Sequence, residues 1–174
     1  MWILRILLWM VTALIMVVAI GMVVLGRERM LEIAFGPAMD TPIEFETLTR
    51  GPRPNQYLVC PPHLCTAKTD ATSPVYEVPR DVLRQAWLAL MATQPRVAHV
   101  GTSSNADQYD FIQRSKWLRF PDTITVKFID LQEGQSTLAI YSRSHYGYSD
   151  LGVNRKRIEG WLEGLDQLLA NRTG

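Results

Sequence analysis

Between Ile6 and Gly26 the chain carries no charged residue, and Thr12 holds the only hydroxyl in the stretch. The run exceeds the ~18 apolar residues that mark a membrane-spanning candidate. As a helix rising about 1.5 Å per residue it can cross a hydrocarbon core of about 30 Å. A cleaved signal peptide normally has an apolar region of only about 7–15 residues and ends in small residues at fixed spacing. Ala19-Ile20-Gly21 is the only approach to such a site, and cutting there would leave Met22 to Leu25 apolar at a new terminus. The expectation is an uncleaved single-pass anchor, with residues 6–26 in the membrane and Trp2 and Trp9 at interfacial depths.

What remains of the 174 residues is enough for one small domain. Arg5 flanks one end of the run and Arg27 and Arg29 the other, so the cationic-flank rule leans by one residue toward a cytoplasmic domain. The chain has 18 Lys and Arg against 17 Asp and Glu; setting aside Arg5, Arg27, Arg29 and Glu28 leaves 15 against 16. No basic run suggests nucleic acid, and no polybasic stripe suggests anionic lipid.

Three segments follow: residues 1–29 as anchor and flanks, 30–72 as a proline-rich stalk and lead-in, and 73–174 as the domain. Pro37, Pro42, Pro52, Pro54, Pro61 and Pro62 interrupt every periodic pattern in the lead-in, which reads as extended chain. A helical continuation of the anchor can reach Gly36-Pro37. Val75-Tyr76-Glu77-Val78 reads as a short strand, and Pro79 opens a helix. Leu83, Ala86, Trp87, Leu90 and Met91 share one face of that helix, which ends at Pro95.

Arg96 to Val100 and Gln108 to Leu118 read as strands around turn chemistry at residues 101–105. Ile124, Val126 and Phe128 alternate with Thr125, Lys127 and Ile129, giving a strand with a core face and a second, more polar face. Ser136 to Ser144 is its hairpin partner, with Leu138 and Ile140 on one face and Ala139, Tyr141 and Arg143 on the other. The last element is a helix on Ile158, Trp161, Leu162, Leu165, Leu168 and Leu169; Gly160 and Gly164 weaken it but permit close packing. The fold class is therefore α+β: a transmembrane helix, then an antiparallel sheet of about four to five strands with two main helices on one face.

Cys60 and Cys65 are the only cysteines, spaced too widely for redox or zinc pairs. His63 lies between them, but His99 and His145 are in distant segments and a structural zinc normally needs four ligands. A disulfide or unpaired structural thiols are the readings that remain, with no metal and no cofactor expected. Ser142, Ser144, His145, Ser149 and Asp150 hold every member of a hydrolase triad, yet strand neighbours point to opposite faces and no G-x-S-x-G elbow exposes a nucleophile. The stronger candidate is the turn from Arg143 to Arg155, where a strand ends and the last helix begins. There Arg143 and Arg155, with Arg157 nearby, could converge on a phosphate or carboxylate, and Tyr148 and Asn154 could add hydrogen bonds. In the structural alternative, Ser149 or Asp150 caps the helix and Asp150 pairs with an arginine.

The block from Tyr141 to Ile158, Y-S-R-S-H-Y-G-Y-S-D-L-G-V-N-R-K-R-I, resembles the signature S-R-S-x-x-G-Y-S-D-L-G-V-N-R-x-R-I of the bacterial and plant family catalogued as domain of unknown function 1499. The resemblance extends more weakly over Asn55 to Leu169, through Phe120-Pro121-Asp122 and the cysteine pair. Many relatives have C-P-x-x-P-N-C where this chain has C-P-P-H-L-C, one residue shorter and without the asparagine. The resemblance implies a small extracytoplasmic domain behind an export signal or anchor, and no established activity. An exported domain would close Cys60 to Cys65 as a disulfide.

Two functions fit: a non-enzymatic module on the outer face of the cytoplasmic membrane that binds a small anionic ligand, a lipid head group or an envelope protein; or an envelope hydrolase or transferase using Asp150, His145 and the nearby arginines. Catalysis requires His145 and Asp150 to converge in a cleft. Capping places Asp150 on the helix end and leaves His145 apart.

Overall fold

The computed structural model describes residues 1–38 and 42–173. Helix α1, Trp2–Val24, has a mean hydropathy of 2.7 and none of it is buried by the rest of the chain. It is long and apolar enough to cross a bilayer, a test that signal sequences also pass. Gly26, at φ 79°, lets the chain bend into α2, Gly26–Phe35. The bend is tight: a Cβ on Gly21 would lie 2.9 Å from the Met30 sulfur. Helix α2 stops at Gly36, ahead of Pro37.

Beyond α2, the described residues of the proline-rich lead-in form no helix, because its prolines break the hydrogen-bond ladder. It supplies β1, Gln56–Cys60, and the two-residue β2, Ala71–Thr72. Helix α3 spans Arg80–Thr93 and buries the expected face: Leu83, Ala86, Trp87, Leu90 and Met91. Strands β3 Val97–Thr102, β4 Gln108–Arg114, β5 Pro121–Asp130 and β6 Ser136–Ser144 follow, and α4 spans Val153–Thr173.

The strands form one sheet in the order β2-β1-β6-β5-β4-β3. Every neighbouring pair is antiparallel except β1 with β2, so the sheet is mixed and its six strands exceed the four to five expected. The two additional strands come from the lead-in. Conversely, Val75–Val78 makes no strand. Between Pro74 and Pro79 only Tyr76 has room to pair, exchanging backbone hydrogen bonds with Ser136 at 2.8 and 3.0 Å.

Both α3 and α4 lie on one face of the sheet. Trp87, Phe111, Phe128, Leu138, Ile140, Ile158 and Leu165 are among the buried residues of that main core. Trp87 meets Trp161 and Phe128 edge to face, with ring centroids 5.9 and 6.5 Å apart. Gly164 admits Leu90 of α3 within 3.3 Å of where a Cβ would stand, whereas Gly160 faces open space. On the other face, Ile43, Phe45 and Leu48 of the lead-in cover Leu58, Cys60, Ala139 and Tyr141 in a second, smaller core. A disulfide joins Cys60 to Cys65, with their Cα atoms 6.3 Å apart, and closes the loop at the edge of this layer.

Candidate functional site

The site is assembled from the sheet register upward. Gln113 of β4 pairs with Asp122 of β5, Asp122 pairs with Ser144 of β6, and the Ser144 amide donates to the Asn55 carbonyl at 2.9 Å. Paired residues on antiparallel strands point to the same face, so Gln113, Asp122, Ser144 and the start of β1 form a polar row across four strands. Ser142, two residues before Ser144, shares that face.

Helix α4 inserts into this row. The fully buried Asn154 donates from Nδ2 to the Asn55 carbonyl at 2.9 Å, to Ser144 Oγ at 3.1 Å and to Asp150 Oδ2 at 2.7 Å, and its Oδ1 accepts from Ser142 Oγ at 2.6 Å. One turn further on, Arg157 donates to Gln113 Oε1 at 2.5 Å, to Ser142 Oγ at 3.0 Å and to Asn154 Oδ1 at 2.6 Å, and pairs with Asp122. The Arg157 and Asp122 side chains are only 6% and 14% exposed, so this is a buried ion pair whose polar neighbours satisfy its remaining donors.

Asp150 closes the arrangement. Its Oδ1 accepts from the Gly152 amide at 3.0 Å and its Oδ2 from the Asn154 amide at 2.7 Å, while Ser149 Oγ accepts from the Leu151 amide at 3.2 Å. The Val153 amide donates to the Asp150 carbonyl at 3.1 Å. The first backbone donors of α4 are thus satisfied from within the turn, with Asp150 as the resident anion and Gly152, at φ 79°, allowing the reversal.

The remaining expected site residues go to different places. Arg143 lies over the Tyr141 ring at 5.3 Å, on the face away from α4, because it alternates with Ser142 and Ser144. Arg155 projects outward and pairs with Glu159 at 2.8 Å, with the two side chains 68% and 49% exposed. The convergence expected of Arg143 and Arg155 is not found, since strand alternation and helical phase send them to different faces. Arg157 takes the inward position instead. Tyr148 is exposed. His145 stacks edge to face on Tyr146 at 4.8 Å and lines a depression with Tyr141 and Arg143, whereas Asp150 lines another with Arg155. Asn55, Gln113 and Asp122 carry no local signal in the sequence; only strand register places them beside α4.

Two adjoining depressions share Pro54, Gln56 and Asp70. The larger, about 640 Å³, lies among Arg50, Arg53, Lys68 and Asp70; the smaller, about 330 Å³, reaches Tyr57, Asp150 and Arg155. Arg50 is tied inward, to Asp70 at 2.9 Å and to the Lys68 carbonyl at 2.7 Å. The two linings together set Arg50, Arg53, Lys68 and Arg155 against Asp70 and Asp150, which leaves the combined rim net cationic. Burial, and next Glu159, push the Tyr57 hydroxyl above its ordinary range. Among the described residues no cluster of three or more His, Cys, Asp or Glu is placed to hold a metal ion.

A comparison with curated proteins finds no match. The model of one family, described as a protein of unknown function (DUF1499), matches residues 37–165, from the end of α2 to Leu165 of α4. That span contains the whole sheet, α3, the first part of α4 and every member of the buried polar row, and the chain therefore belongs to this family of unknown function.

Proposed function

We propose that the protein is a membrane-anchored, non-enzymatic recognition module whose domain lies on the extracytoplasmic side and binds a small anionic ligand. The observation that carries this reading is the separate commitment of the two groups catalysis would need: Asp150 caps α4, and His145 stacks on Tyr146 beside a different depression. The cationic rim around Arg53, Lys68 and Arg155 supplies the ligand class, because its guanidinium and ammonium groups suit phosphate or carboxylate oxygens. Placement outside the cytoplasm draws support from the disulfide, which oxidising compartments favour.

Thermal unfolding of the full chain in detergent, titrated with inorganic phosphate and with succinate, tests the reading. A ligand present at 100 times its Kd stabilises by about 2.7 kcal/mol. At least one of the two anions should raise Tm in a dose-dependent way, and the double substitution Arg53→Gln and Arg155→Gln should remove the rise. A flat titration with both would overturn the ligand class.

A further inference from the structure

The connection between β4 and β5 is short and should be polar, yet it carries Trp117 and Leu118 at 73% and 62% exposure. The Lys116 ammonium lies over the Trp117 ring, 5.0 Å from its centroid. This turn is held in a defined place. Arg27 of α2 donates to the Trp117 carbonyl at 3.1 Å, and Glu28 pairs with Arg114 at 3.0 Å and with Arg119 at 2.5 Å. Tyr146 adds a third tie, donating to the Gly36 carbonyl at 2.9 Å with its ring 5.0 Å from Phe35.

These ties set the turn beside the end of α1. Val18 and Met22 of α1 form one wall of an apolar groove of about 420 Å³, and Phe35, Trp117, Leu118 and Phe120 form much of the rest. At 1.5 Å per residue, Val18 lies roughly 9 Å before the end of α1 at Val24. The whole helix is roughly 34 Å long, only about 4 Å more than a hydrocarbon core. If α1 crosses the bilayer, a side chain level with Val18 or Met22 therefore falls in the interfacial or outer hydrocarbon layer, where tryptophan and cationic side chains with apolar stems are favoured.

We infer that the Ser115–Phe120 turn is a second membrane contact: Trp117 and Leu118 enter the bilayer beside α1, and lipid acyl chains fill the groove between them. The occupant is membrane lipid because Val18 and Met22 of the exposed α1 line the groove, and Arg27 in its lining and Lys116 over the Trp117 ring are suited to head-group phosphates. Together with α1 this contact fixes how the domain sits on the membrane. The inference rests on the anchored reading of α1.

The test uses the full chain with the disulfide intact, reconstituted in vesicles of phosphatidylcholine and phosphatidylglycerol. An environment-sensitive fluorophore is placed singly through Leu14→Cys in α1, Leu118→Cys in the turn, or Leu131→Cys at the opposite end of β5. All three positions are exposed, so labelling leaves the cores undisturbed. Lipids carrying nitroxides both high on the acyl chain, level with position 118, and near its terminal methyl, level with position 14, should quench positions 14 and 118 severalfold more than position 131. Quenching at 14 with none at 118 would overturn the second contact while leaving the anchor in place. Absence of quenching at all three would overturn the anchor itself, and the contact with it.

Discussion

Asp150 and Arg155 belong to the same short motif, yet one holds the chain together and the other faces solvent. Each Asp150 oxygen accepts a backbone amide, and Asp150 Oδ2 also accepts from the Asn154 side chain. Arg155 pairs with the exposed Glu159, an i,i+4 pair of the kind that contributes a few tenths of a kcal/mol. Asn154→Ala should therefore lower stability by about 1–3 kcal/mol, because Ser142 and the Asn55 carbonyl lose a buried partner. Arg157→Gln should cost more, about 3–5 kcal/mol, since Asp122 would remain charged and nearly enclosed. Arg155→Gln should stay within about 0.5 kcal/mol of the parent. Denaturant midpoints for the three variants check the ordering; a large loss for Arg155→Gln would contradict the outward placement.

Among the elements, α4 and the lead-in behave differently for reasons that can be tested separately. Gly164 makes room for Leu90, but nothing lies within 4 Å of where a Cβ on Gly160 would stand. Gly160→Ala should then raise stability by up to about 1 kcal/mol through helix propensity alone, seen as a higher thermal midpoint. The lead-in is fastened to β5 by Glu46 and Lys127, 2.6 Å apart. The Lys127 hydrogen bond holds the Glu46 carboxyl below its usual value of 4.5. A carboxylate with a depressed folded-state pKa stabilises the fold above its unfolded pKa, and that contribution is lost as pH falls through the folded value. The effect is confined to pH below about 4.5 and, for so exposed a pair, stays within about 1 kcal/mol. Glu46→Gln should flatten this limb of the stability profile while leaving slopes at higher pH unchanged, as urea unfolding at a series of pH values would reveal.

At the scale of the whole molecule, α1 and the domain meet through α2 and the Ser115–Phe120 turn, so topology and fold are linked. A reporter active only after export, fused beyond the last helix, should be active, and Cys60 and Cys65 should resist alkylation in unreduced, unfolded protein; activity of a cytoplasm-only reporter would reverse the orientation. Apolar patterning along the chain was sufficient to mark α1, both domain helices, their buried faces and the four long strands, because those periodicities are local and record which side of an element meets water. It was equally sufficient to separate Leu138 and Ile140 from Ala139 and Tyr141, and the Ser142 face from that of Arg143. The lead-in was less legible. Its prolines mask short strands: β1 forms because β6 offers an edge to pair with, and β2 pairs in turn with β1. The polar row was also out of reach, since Asn55, Gln113, Asp122 and Asn154 lie far apart in sequence and meet only through strand register. The sequence by itself determined an N-terminal helix long and apolar enough to cross a membrane, the α+β class and the motif that turns into α4. Tertiary structure alone decided that Arg157 faces inward and Arg155 outward, because buried charge is stable only where the fold brings its partners from other strands.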